Sequence, residues 1–105
     1  VLEELQKKFF PRFAKLAQER IVEGRRIAHD LEGEGALHVA RQLHSLAGEA
    51  GLLGLTDLVV IARAAEEAAT QLHAERSPAK TEGLVAALGE LETALGKIEI
   101  AASSR

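Results

Sequence analysis

Among the side chains able to do nucleophilic or metal chemistry in this sequence are four histidines, His29, His38, His44 and His73, with no cysteine beside them. A zinc-binding helix presents two histidines four residues apart, whereas His38 and His44 are six apart and do not share a face, so a metal site is not expected. His29, His38 and His73 read as solvated surface residues. His44 differs in its surroundings. On a helix its neighbours at i−4, i+3, i+4 and i+7 are Ala40, Ala47, Gly48 and Gly51, so the imidazole is expected to stand on a bare patch. A histidine imidazole is largely neutral near neutral pH, and one ring nitrogen can attack phosphorus while the other donates a hydrogen bond.

Each glycine inside a helix costs about 0.5–1 kcal/mol relative to alanine, which calls for an offsetting gain. A bare turn beside His44 supplies one, because it lets a second protein bring its backbone and a phosphoryl group close to the ring. The alternatives are that Gly48 and Gly51 permit close helix packing, or that Gly51 ends the helix. A carboxylate on the next helix could fix the imidazole tautomer, and Glu66, one residue past Ala65 at the flank of an apolar stripe, is the candidate.

The elements that must hold these residues are helical. Alanine, leucine, glutamate and arginine dominate nearly every window and strand signals are sparse, so the class is all-α. Breaks fall at Pro11, Gly33-Glu34-Gly35, Gly54-Leu55-Thr56-Asp57 and Ser77-Pro78. Pro11 is expected to separate a short leading helix from a longer one reaching about Leu31, with Phe9, Phe10 and Phe13 plugging one end of the core. The next helix runs from about Ala36 past Gly51, with core positions Val39, Leu43, Leu46, Ala50 and Leu53. A third follows Thr56 or Asp57 as N-cap and presents Leu58, Ile61, Ala65, Ala68 and Leu72. The last starts with Ser77 as N-cap and Pro78 in first position, and its stripe is Leu84, Leu88, Leu91, Leu95, Ile98 and Ala102. Ser103-Ser104-Arg105 reads as a fraying end. Alternating 3 and 4 spacings on helices joined by short loops predict an antiparallel up-and-down four-helix bundle with a short extra N-terminal helix.

The 105 residues suit a single domain spanning 1–105, with a net charge of −3 from interspersed acidic and basic residues and no basic stripe for nucleic acid. No apolar run is long enough for a membrane span, and the absence of cysteine fits the cytoplasm. A chain that opens on Val1 and lacks methionine reads as a piece excised from a longer polypeptide.

The run His44-Ser45-Leu46-Ala47-Gly48-Glu49-Ala50-Gly51-Leu52-Leu53-Gly54-Leu55, followed in register by Leu58 and Ala65-Glu66, resembles the signature of histidine phosphotransfer domains. That family includes the N-terminal phosphotransfer domain of chemotaxis histidine kinases. The resemblance implies a phosphoryl carrier without catalytic machinery of its own, with His44 as phosphoacceptor and Glu66 orienting the imidazole. It implies a partner too, a response-regulator receiver domain that brings the aspartyl phosphate and Mg²⁺, or a histidine kinase that brings ATP, with no cofactor bound by the domain itself. Leu37, Arg41, Ser45, Ala47, Gly48, Gly51 and Leu52 are the expected partner-binding residues around His44. Ala47 departs from the pattern, since the family often has lysine there to neutralise the phosphoryl group, and Arg41 or Arg63 is the candidate substitute. The rival readings are the phosphoacceptor domain of a chemotaxis-type kinase, phosphorylated from ATP, and a helical interaction module that is never phosphorylated.

Overall fold

The computed structural model describes residues 2–30 and 35–103. Four helices account for nearly all of them: α1 (Leu2–Ala28), α2 (Gly35–Leu52), α3 (Thr56–Ala74) and α4 (Pro78–Ser103), with no strand among the described residues. Leu31, Gly33 and Glu34 at the first break, and Ser104 and Arg105 at the end, lie outside the described residues. Each helix adjoins two others. α1 packs on α2 and α4, and α3 packs on the same two, with no Cα–Cα approach within 8 Å across either diagonal among the described residues.

The core follows the apolar spacing. Val39, Leu43, Leu46, Ala50 and Leu53 of α2 are all buried, as are Leu84, Leu88, Leu91 and Leu95 of α4. Burying each of those leucines contributes roughly 1.5–3 kcal/mol, and no polar or charged side chain among the described residues is buried with them. The stripe of α4 fades at its end, where Ile98 is only partly buried and Ala102 is exposed. On α3 the buried face is turned slightly from the expected one, with Ala62 and Ala69 fully buried and Ile61 and Ala68 at its edge.

Pro11 does not divide the first stretch. α1 is one helix from Leu2 to Ala28 with Pro11 inside it, so the expected short leading helix is absent as a separate element. The proline leaves the Lys7 carbonyl without its intrahelical donor and costs about 3 kcal/mol. Burial of Phe10, Phe13 and Ala14 immediately around it offsets that cost. The turns ahead of Pro11 are anchored as well: Gln6 donates to the Leu53 carbonyl at 2.7 Å, and the Leu2 side chain lies against Gly54. Of the three expected plug residues, Phe10 and Phe13 serve and Phe9 points to solvent.

Two junctions set the phase of α3 and α4. Gly54 adopts φ +71°, the Leu55 amide donates to the Ala50 carbonyl at 2.9 Å and the Gly54 amide to the Gly51 carbonyl at 3.1 Å. This is a Schellman termination, which needs a residue without a Cβ at its left-handed position. Leu55, rather than Thr56 or Asp57, occupies the N-cap of α3 and offers no side-chain cap, because that position is fixed by the same turn. At α4 the expected cap is present: the Lys80 amide donates to Ser77 Oγ at 3.2 Å, with Pro78 as first residue.

Candidate functional site

His44 sits near the middle of α2, between the buried Leu43 and Leu46, so the same periodicity that buries those leucines turns the imidazole outward. Its side chain is 78% exposed. Glu66 lies on α3 beside the buried Ala65, and its side chain is 28% exposed at the seam between the two helices. The two meet across that seam, with His44 Nδ1 3.1 Å from Glu66 Oε2 and 3.4 Å from Oε1. A carboxylate only accepts hydrogen bonds, so the contact places a ring hydrogen on Nδ1, and in the neutral imidazole this leaves Nε2 with a free lone pair. The Schellman turn supports the pairing: seven residues beyond His44, a Cβ on Gly51 would lie 3.8 Å from Val59 Cγ2, and Val59 is seven residues before Glu66.

The bare patch is partly as expected. A Cβ on Gly48 would meet nothing within 4 Å, and α2 continues past Gly51 to Leu52, so neither glycine is needed for packing contact or for helix termination. Ala40 and Ala47, however, are buried, at 5% and 4% exposure. Ala47 therefore offers almost no surface to a partner, a correction to its expected role, because position i+3 of His44 turns toward the buried face of α2. Arg41, Ser45, Gly48, Gly51 and Leu52 are exposed and Leu37 is half-buried, so six of the seven expected contact residues present surface.

Sequence reasoning did not single out Val59 or the clamp on the other flank of α2. There Arg20 of α1 grips Glu49 through two hydrogen bonds of 3.1 and 3.2 Å, which holds α2 against α1. The only sequence signal for Val59 was its seven-residue distance from Glu66. Among the described residues no group of three His, Cys, Asp or Glu side chains converges to hold a metal ion, and no helix is long and apolar enough to cross a membrane.

No family model, curated protein or solved structure matches the chain.

Proposed function

We propose that this chain is a histidine phosphotransfer domain, a phosphorelay carrier that takes a phosphoryl group on His44 and exchanges it with the aspartate of a response-regulator receiver domain. The observation that carries the reading is the imidazole held by Glu66 through Nδ1 while its side chain stands 78% exposed. Contact pairs support the finer fold, an antiparallel up-and-down four-helix bundle: Gly24 meets Val39 and Ile27 meets Gly35, Gln18 meets Glu99 and Arg25 meets Glu92, and His44 meets Glu66 as Gly51 meets Val59. In each series the number rises on one helix as it falls on the other.

In the proposed step the Nε2 lone pair of His44 attacks the phosphorus of the receiver's aspartyl phosphate. The P–O bond to the aspartate breaks and its electron pair returns to that carboxylate. No proton leaves the ring, since Nδ1–H stays in its hydrogen bond, and Glu66 balances the positive charge that develops on the imidazolium. The receiver brings Mg²⁺ and most of the positioning, while Gly48 and its neighbours leave room for its approach. Arg41, Ser45, Gly48 and Leu52 form the centre of the docking surface in this reading.

Incubation with a phosphorylated receiver tests the proposal. Wild type should gain an acid-labile, base-stable phosphoryl label, and His44→Gln should gain none while keeping its helical content and melting temperature. Equal labelling of the two proteins, or no label on wild type, would overturn it, the second result favouring an interaction module that is never phosphorylated.

A further inference from the structure

The apolar stripe of α4 thins at its end, where Ile98 is half-buried and Ala101 and Ala102 are exposed. Methyl side chains there do not close on α1, and a groove of about 620 Å³ opens between the two helices. Phe10, Leu55, Ile98 and Ala101 give it an apolar lining. Small-molecule sites typically enclose roughly 300–1,000 Å³ and add a few polar groups to such a lining. Here the polar groups are Lys7 on the α1 wall and Lys97 on the α4 wall, with Glu3 and Gln6. Both lysines are exposed, and neither they nor Glu3 form an ion pair among the described residues. Gln6 is committed to the Leu53 carbonyl, which ties this wall of the groove to the α2–α3 turn. Two cations therefore stand against one carboxylate on the lining. The adjoining α3–α4 groove shares Lys97 but sets Asp57, Glu90 and Glu92 against it, which reverses the balance.

We infer that the α1–α4 groove binds a small amphipathic carboxylate, its hydrocarbon body against Phe10, Leu55 and Ile98 and its charged head between Lys7 and Lys97. The inference does not rest on the phosphorelay reading, because no residue of this lining belongs to the His44–Glu66 pair or to the docking surface around it. Burial of the hydrocarbon supplies most of the affinity. The lysines act mainly on selectivity, since exposed ion pairs are screened by solvent and add little, whereas two ammonium groups disfavour a cationic head. Their flexible four-carbon stems can follow the head group while covering part of the chain. Glu3, one turn before Lys7 on α1, weakens the positive field without reversing it.

Decanoate, titrated into the ¹⁵N-labelled chain below its micellar concentration, is the probe. Amide shifts should move around Phe10, Leu55, Ile98 and Ala101 and saturate at one ligand per chain. Decyltrimethylammonium, with the same chain and the opposite charge, should bind about threefold more weakly or worse. Combining Lys7→Gln with Lys97→Gln should weaken decanoate by about three- to tenfold, the range for two screened ion pairs, while Lys80→Gln at the other end of α4 should leave it unchanged. Ala101→Phe, which fills the groove from an exposed position, should abolish the shifts and keep the melting temperature. His44→Gln should bind decanoate as wild type does. Shifts that do not saturate, equal binding of the two amphiphiles, or undiminished decanoate affinity in the double lysine variant or in folded Ala101→Phe would each overturn the inference. Shifts that begin only once micelles form would overturn it too, in favour of adsorption to a lipid surface.

Discussion

α2 and α4 both carry glycines in their interiors, and Gly48, Gly83 and Gly96 all open onto empty space. A bare turn is therefore not a functional mark by itself. What separates the helices is what stands next to it. α4 contains no histidine, its four central leucines are fully buried, and its half-buried carboxylates Glu92 and Glu99 are committed to Arg25 and Gln18 of α1. α2 instead sets an exposed imidazole one turn from Gly48 and holds it with a carboxylate from a different helix. One helix spends its polar groups on assembly, and the other keeps a nucleophile free.

The sharpest way to break that division is through the core of α4. Leu88→Ala removes a fully buried side chain that packs on Gly24, and should lower the unfolding free energy by about 2–5 kcal/mol in a urea titration. Labelling of His44 per folded molecule should not change. A loss of labelling beyond the unfolded fraction would show that α4 does more than support.

A smaller effect distinguishes the two open glycines. Gly48→Gln and Gly96→Gln should each stabilise their helix by roughly 0.5 kcal/mol, because neither new side chain meets an obstacle at its Cβ. On the phosphorelay reading only Gly48→Gln should slow transfer from a receiver, by about tenfold or more, since it fills space that the proposed partner would need. Equal transfer rates for the two variants would erase the distinction between the helices.

The smallest effect concerns the α1–α4 clamp. The hydrogen bond from Arg25, with its positive charge, holds the Glu92 carboxyl below the usual carboxylate range. A group whose folded pKa is depressed adds stability above its unfolded pKa, and that contribution is lost as the pH falls through the folded value. Arg25→Gln should therefore melt slightly below wild type at pH 7, and the two curves should converge once the pH drops beneath the folded value. A gap that persisted in acid would assign the loss to packing by the arginine stem instead.

Local periodicity made a large part of this molecule legible. The burial pattern of α2, the Ser77-Pro78 start of α4 and the outward direction of His44 all follow from which residues lie three, four and seven apart. Glu66 was legible at one remove, as a carboxylate at the flank of the next apolar stripe. Pro11 was misread because propensity weighs a residue against its own helix, while the burial of Phe10 and Phe13 around it depends on the helices packed against α1. Ala47 was misread for a related reason, since the edge of a buried face depends on how close the neighbouring helix approaches.

The sequence by itself determined four amphipathic helices and the nucleophile they expose, because side-chain direction along a helix is fixed by a backbone period of 3.6 residues. Only the tertiary structure decided that α1 runs unbroken through Pro11, that Ala47 is covered, and that Glu66 comes within 3.1 Å of His44. Those outcomes depend on the rotation and spacing of one helix against another, which the Gly54 turn and the packed core set together and no single helix encodes.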